Sequence, residues 1–376
     1  MKKILLGTTA IVAAGMIVSA PAAFAAEKIK LSVGGYMEQW FGYVSNDDAA
    51  GQDYSGFDQK SDSEIHFKGS TKLDNGITVG VNVQLEANQN NGDQIDESYM
   101  TISHESFGSI DIGSENSVQY RMHYGPSEFG IGINSGDQTA WTATVADAEG
   151  DRISEGGAFR QPFGATYVEP VGANDSEKIS WFSPRVEGIQ LGLSYSPDTN
   201  QDNNGAINRD TANTDLVMAA VNFNKTFDGT NVGASLGYGT VTSGVAGSGE
   251  EASAVNAGVR VSSGGYQIGV SYANFEDSGG NSGAGMNVGT SYKSGPWGVS
   301  LNYFHGERDG TGSGATLDGE ATMDTIFLSG KYAMGPGITA AGTIGHSSLS
   351  SDDADLDASV DSAEATYVVV GMRVSF

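Results

Sequence analysis

From Ile29 to Phe376, apolar and polar residues alternate with a period of two in short segments. Val79, Val81, Val83 and Leu85 fall on one side of such a segment, and Gly80, Asn82, Gln84 and Glu86 on the other. Ile189, Leu191, Leu193 and Tyr195 stand in the same way against Gln190, Gly192 and Ser194, and Trp297, Val299, Leu301 and Tyr303 against Gly298, Ser300 and Asn302. A strand puts successive side chains on opposite faces, so each set shares a face. Segments of this kind fall at 29–44, 62–73, 76–88, 95–103, 107–114, 177–184, 187–196, 214–227, 230–241, 252–262, 265–275, 285–293, 296–306, 322–333, 337–348 and 362–376. Their connections sort into two sets. One set is tight, as in Asp74-Asn75-Gly76, Asp228-Gly229, Ser263-Gly264 and Ser294-Gly295-Pro296; the other is long, acidic and rich in Gly, Ser, Asn and Asp. A soluble sandwich also alternates, but it buries its apolar face against a second sheet and does not sort its connections. The pattern predicts an all-β fold: a transmembrane antiparallel β-barrel of about 16 strands, with apolar residues facing out, polar residues facing in and both termini on the short-turn, periplasmic side. Aromatics near segment ends (Trp40, Phe41, Tyr43, Trp181, Tyr238, Tyr266, Trp297, Tyr332 and Tyr367) suit a membrane–water interface.

The first residues have a different character. Lys2 and Lys3 precede an apolar run from Leu5 to Val18, and Ala23-Phe24-Ala25 fits an A-x-A cleavage site. Residues 1–25 are expected to be a signal peptide and 26–376 the mature barrel. The alternative, a membrane anchor, needs an apolar run of about 20 residues. Losing Lys2 and Lys3 takes the formal net charge from −27 to about −29. So acidic a balance argues against nucleic-acid partners, which need a basic footprint. Cysteine is absent, which excludes disulfides and thiolate metal sites.

Beside this reading stands a resemblance. Leu31-Ser32-Val33-Gly34-Gly35-Tyr36, the stretch from Gly69 to Glu86, Asp96-Glu97-Ser98-Tyr99-Met100, Phe107-Gly108-Ser109-Ile110-Asp111-Ile112-Gly113 and a last strand ending in Phe376 resemble the general porins of Gram-negative bacteria, most closely the alphaproteobacterial type. The resemblance implies a homotrimer of sixteen-stranded barrels, each with its own aqueous channel. It also implies that the terminal aromatic Phe376 belongs to the signal read by the outer-membrane barrel assembly machinery. In such porins a long loop folds into the lumen and narrows it. Here that role is assigned to the long connection at 115–176. The expected constriction residues are Glu115, Arg121, Glu128, Asp137, Asp147, Glu149, Asp151, Arg152, Glu155 and Arg160.

Other charged positions have lumen parity. Lys30, Lys72, Arg260, Lys293, Lys331 and Arg373 lie close to the short-turn ends of their strands and would form a periplasmic basic band. Asp47, Asp48, Asp53, Asp58 and Asp62 are read as outer-loop acids, so the axis would run from negative outside to positive inside. The alternative is that these cations pair with turn carboxylates or snorkel towards headgroups. Glu38, Glu64, His66, Lys68, Gln84 and Glu86 are wall candidates further up, and the small inward residues Gly192, Ser194, Gly258, Ser300 and Gly371 leave room for an open channel.

Two motifs are weighed apart. Asp353, Asp355, Asp357, Asp361 and Glu364 match positions 1, 3, 5, 9 and 12 of a calcium loop, and a divalent ion there could bridge to lipopolysaccharide phosphates. Position 6 is Ala358 instead of glycine and the flanks read as strands, so a simple acidic loop stands beside the calcium reading. Gly233-Ala234-Ser235-Leu236-Gly237 matches a hydrolase elbow but lies inside an alternating strand, where that chemistry has no strand-to-helix turn. No cofactor and no catalysis are expected. The functional expectation is a passive outer-membrane diffusion channel for small hydrophilic solutes, weakly cation-selective. The alternatives are a substrate-specific channel for a sugar or charged nutrient, a structural barrel, and a barrel-type lipid hydrolase.

Overall fold

The computed structural model describes residues 28–48, 51–88, 94–147, 152–153, 160–170, 172–201, 205–243, 252–276, 282–309, 319–353 and 356–376. The expected signal peptide lies outside the described residues. The strands are β1 (Lys30–Asn46), β2 (Gly56–Lys72), β3 (Thr78–Glu86), β4 (Ile95–His104), β5 (Gly108–Ser114), β6 (Glu177–Phe182), β7 (Ile189–Asp198) and β8 (Thr214–Phe227). They continue as β9 (Thr230–Ser243), β10 (Ser253–Ser263), β11 (Tyr266–Glu276), β12 (Gly283–Ser294), β13 (Trp297–Asp309), β14 (Glu320–Gly335), β15 (Ile338–Ser351) and β16 (Ser362–Ser375). Each pairs antiparallel with its neighbours in sequence, and β1 pairs with β16, so the sixteen strands close into a barrel. The seam runs from Tyr36 against Ser375 to Asn46 against Ala365. It is sealed at the turn end by Gly35 N–H to Phe376 O at 3.0 Å and Phe376 N–H to Gly35 O at 3.1 Å. Closure leaves no strand edge unpaired.

The turn chemistry explains the short end. At Asp228-Gly229 both residues have positive φ, 47° and 83°, which is the twist a two-residue hairpin between right-twisted strands needs. Outside, Val217, Leu236, Val259, Ile268, Val288, Leu301, Leu328, Ile344 and Val370 form an exposed apolar belt. A belt this continuous fits lipid, not water. Near the turns it ends in the cross-strand pairs Tyr266–Tyr292 and Trp297–Tyr332, each with ring centroids 4.4 Å apart. At the far end lie Phe41, Tyr43 and Phe57, the last stacked on Phe41 at 5.5 Å.

Several boundaries differ from the sequence expectation. β2 starts at Gly56, not 62, so Asp58 belongs to a strand and not to an outer loop; Asp62, counted both in the expected segment and among the loop acids, is on the strand as well. Above the belt both faces of the sheet are polar. Alternation therefore vanishes while the ladder continues, with Gly56 still opposite Val44.

Among the described residues of 115–176, the helical structure is two single turns, Val118–Arg121 and Asp137–Ala140. Three buried apolar clusters each join this segment to the strand face opposite the lipid belt. Val118 and Met122 pack with Leu216 and Met218; Ile131, Ile133 and Trp141 with Trp40, Phe304, Phe327 and Tyr367; Ile153 and Phe163 with Met323 and Leu349. Burying each such side chain stabilises by about 1.5–3 kcal/mol before entropy is counted. The small inward residues therefore do not all mark empty space. A Cβ on Gly192 would meet Met122 Sδ at 2.4 Å and one on Gly258 would meet Tyr124 O at 1.7 Å, while Ser194 Oγ accepts the Val118 N–H at 3.0 Å. The room beside Gly371 is filled by the Trp40 ring.

Candidate functional site

The segment follows the wall strand by strand. Asn222 Nδ2 of β8 donates to Met122 O at 3.2 Å, Tyr124 N–H to Ser235 Oγ of β9 at 2.8 Å and Gln119 Nε2 to Ala254 O of β10 at 2.9 Å. Ser127 N–H donates to Gln267 Oε1 of β11 at 2.9 Å, Asn302 Nδ2 of β13 to Ser127 O at 3.1 Å and Ile131 N–H to Thr343 Oγ1 of β15 at 3.2 Å. Trp141 then lies against Gly42 of β1. Beyond the wall, the Gln52 side chain pairs with the backbone of Ala146, donating at 2.7 Å and accepting at 2.9 Å.

The inward face of β2 meets the segment at its loop end, where Lys60 Nζ lies 4.9 Å from the Trp141 ring, and is open nearer the turns. Among the described residues, no side chain of Asp62, Glu64, His66, Lys68, Gln84 or Glu86 hydrogen-bonds to the segment. Carboxylate oxygens of Asp62, Glu64 and Glu86 lie within 4.8 Å of one another. Tyr36 Oη, with one proton to donate, lies 2.9 Å from an Asp62 carboxylate oxygen and 2.7 Å from one of Glu64, and His66 Nε2 meets the other Glu64 oxygen at 2.6 Å. Glu38 completes the arc, accepting from Trp40 Nε1 at 2.9 Å and pairing with Arg373. Of the expected wall residues, Glu64, His66 and Glu86 are thus brought together, and Asp62 joins them. Asp62 opens the expected segment 62–73 and shares even parity with 64, 66 and 68.

The expected loop carboxylates are engaged within the segment. Glu128 accepts the Ile133 N–H at 3.1 Å, and Asp137 accepts the Gly132 N–H at 2.9 Å and the Ser135 hydroxyl at 2.5 Å. Burial pushes the Glu128 carboxyl up to about 7 and raises that of Asp137. Glu115 is buried at the base of the segment and accepts from Asn116 N–H at 2.8 Å. Arg121 is held by Asp111 of β5 at 2.7 Å and lies 4.6 Å from the Phe182 ring. Arg160 bonds Asn116 and Asn174 and lies 3.7 Å from Glu169. Asp147 and Arg152 are half-buried, and Glu149, Asp151 and Glu155 lie outside the described residues.

The basic positions fare differently again. Arg260 sits 4.2 Å from the Tyr124 ring, Lys293 and Lys331 lie 5.0 and 4.2 Å from the Phe129 ring, and Arg373 lies 4.0 Å from the Tyr36 ring. Aromatic faces attract such cations, so rings, more than turn carboxylates, are their partners. Lys30 and Lys72 are exposed at the turn end. In the calcium pattern Asp355 lies outside the described residues; among the described ones, no three of Asp353, Asp357, Asp361 and Glu364 converge within 4.8 Å. Ser235 of the elbow motif accepts the Tyr124 N–H and lies 3.3 Å from His123 Nδ1. That imidazole is buried against Tyr167, its other nitrogen has no partner among the described residues, and burial lowers its pKa to about 3. Among the described residues, no carboxylate hydrogen-bonds to this imidazole. Phe376 is exposed at the turn end of the seam.

Comparison with known proteins agrees with the barrel. The model of the Gram-negative porin family matches residues 7–352. No curated protein matches by sequence. Among solved structures, an anion-selective porin from Comamonas acidovorans is 19% identical, with 93% of this chain and 100% of that chain covered and a TM-score of 0.60. OmpF of Salmonella typhi, in complex with daunomycin, is 15% identical over 93% and 98%, with a TM-score of 0.58. The trimer form of OmpT from Vibrio cholerae is 12% identical over 93% and 100%, with a TM-score of 0.57. Identities this low speak for the fold alone, but the family match covers nearly the whole chain. A lipid-facing belt, a polar interior and that match converge: the chain belongs to the Gram-negative porins, channels of the outer membrane.

Proposed function

We propose that this porin is a passive diffusion channel for small hydrophilic solutes and ions, with residues 115–176 lying across part of the lumen as its constriction. The observation that carries the reading is the arc on β2 and β3 on the turn side of Lys60, where no described side chain hydrogen-bonds to the segment. The segment follows the wall from β7 round to β1, and the gap it leaves is lined by Glu38, Asp62, Glu64 and Glu86. These four carboxylates outnumber the cations beside them, Lys68 and Arg373, and a charged low-dielectric wall concentrates counter-ions, so on this reading the channel prefers cations. The preference is assigned to the strand carboxylates, not to the loop acids. The test is a reversal potential across a KCl gradient in planar bilayers, on wild type and on Asp62→Asn/Glu64→Gln/Glu86→Gln. Cation selectivity that falls in the variant is the expected result. Anion selectivity in the wild type, which is the property named for the Comamonas acidovorans porin, would sink the cation reading and keep the channel.

The same reading makes the channel a homotrimer, as the Vibrio cholerae neighbour is described, in contact with outer-membrane lipid and lipopolysaccharide. A band that migrates as a monomer without heating would refute the trimer. Export is by a cleaved signal peptide, with Phe376 offered at the periplasmic rim to the assembly machinery. Calcium in the last outer loop remains a proposal of the residue spacing, and calorimetry without heat at millimolar calcium removes it.

A further inference from the structure

β5 ends at Ser114 and β6 begins at Glu177, and these two residues are partners in register, so the segment 115–176 leaves the wall and returns to it at one place. Beside that place stands Lys178 of β6, opposite Gly113 in register and with lumen parity. Lys178 is 4% exposed. Its Nζ donates to Glu115 O, the first carbonyl of the segment, and at 2.5 Å to Ser176 O, the last. Among the described residues, no carboxylate oxygen lies within 4.0 Å of this ammonium. The two carbonyls hold it directly, and the buried carboxylates of Glu115, Glu169 and Asp175 act on it from further out.

A buried charge is costly unless it is hydrogen-bonded and compensated. A root that lifted off the wall would take both carbonyls away and leave the ammonium without those acceptors, so Lys178 opposes the movement of either end. Arg160, within the segment, ties the same two ends to each other through Asn116 and Asn174; Lys178 fastens both to a strand. We propose that Lys178 is a positioning residue for permeation. Acting through the Glu115 and Ser176 carbonyls, it fixes both ends of the constriction to β6, and so keeps the segment against the wall and the conducting path open. The inference rests on the reading of 115–176 as the constriction and names the residue that fixes its root.

The experiment compares wild type, Lys178→Met and Lys178→Arg in planar bilayers, with limited proteolysis of the same proteins in detergent. Methionine keeps the stem and removes the donors. Losing hydrogen bonds from a charged donor raises the population of the lifted root on the order of tenfold to a hundredfold. The fraction of time spent in partial closures should rise by a similar factor, and cleavage within 115–176 should quicken while the barrel stays intact. Lys178→Arg keeps donors for both carbonyls and should stay near wild type. Wild-type closures and wild-type cleavage in Lys178→Met overturn the proposal. So does a Lys178→Met channel in which only the reversal potential moves, since the lysine would then act as a plain lumen charge. So does Lys178→Arg as unsteady as Lys178→Met. If Lys178→Met does not assemble, Lys178→Gln decides, and closures and cleavage at the wild-type level overturn the proposal. A wild type that passes no current sinks the channel reading instead, and cleavage within the segment still reports on the tether.

Discussion

Gly258→Ala is the sharpest test of where the segment lies. A Cβ on Gly258 would sit 1.7 Å from Tyr124 O and 2.8 Å from Tyr124 C. Carbon and oxygen in close contact stand about 3.3 Å apart, so the gap must open by about 1.6 Å. Both obstructing atoms are backbone, and no rotamer change relieves the clash. Overpacking of this kind costs about 1–3 kcal/mol. Moving Tyr124 also weakens its N–H bond to Ser235, worth about 0.5–1.5 kcal/mol net, and its stacking on Arg260, worth about 0.5–1 kcal/mol. The total is about 2–5.5 kcal/mol against the docked segment. Behind Gly258 is the wall, so the segment moves towards the open lumen and the conducting path narrows. Single-channel conductance in 1 M KCl should fall, and the variant should unfold at a lower temperature. Gly330→Ala is the control: it has lipid-face parity, and its nearest obstruction is Gly298 O at 3.8 Å. Wild-type conductance and melting in Gly258→Ala would refute the packing of the segment on β10.

Three further outcomes are expected. Glu128 titrates near 7 in the folded protein against an ordinary 4.5, so its neutral form is favoured there. The stability it adds is lost as pH rises through about 7 and is complete below the ordinary value. The melting difference between wild type and Glu128→Gln should therefore change between pH 5 and 8 and be flat at more acid pH; a constant difference would refute it. Gln52→Ala removes both bonds to Ala146, about 1–3 kcal/mol, and should raise open-channel current noise with little change in mean conductance. Trp40→Ala empties the site between Glu38 and the segment and should lower thermal stability by about 3–5 kcal/mol; a loss under 1 kcal/mol would show that the cluster does not hold the segment.

The barrel was legible because lipid outside and polar groups inside impose a strict period of two on every strand, and a residue such as Leu236 has only one face on which to lie. The legible part ends where the belt ends: Asp58 sits on a stretch of strand whose two faces are both polar, and nothing in its spacing distinguishes a ladder from a loop. The destination of the long segment was invisible for a related reason. Gly192 and Gly258 record only that something large is absent from the wall, and an empty lumen and a docked backbone leave the same trace in a sequence. The partners of the loop acids were not legible either. Charge count says nothing about partners, and Glu128 and Asp137 accept backbone N–H groups a few residues away.

The seam between β1 and β16 has a consequence for how the molecule comes into being. Glu38 and Arg373 meet across it although 335 residues separate them, and closing so long a loop carries an entropic cost that no local contact offsets in advance. Hairpins can form one after another as the chain grows. Until the last strand exists, however, the sheet presents two open ladders of unpaired backbone groups, the feature that invites pairing with other chains. Completion is therefore a single late event at the C-terminus. A chain that stopped before Ser362 would not be a smaller barrel but an adhesive sheet, and the interval between synthesis and closure is when this protein most needs to be kept apart from its own copies.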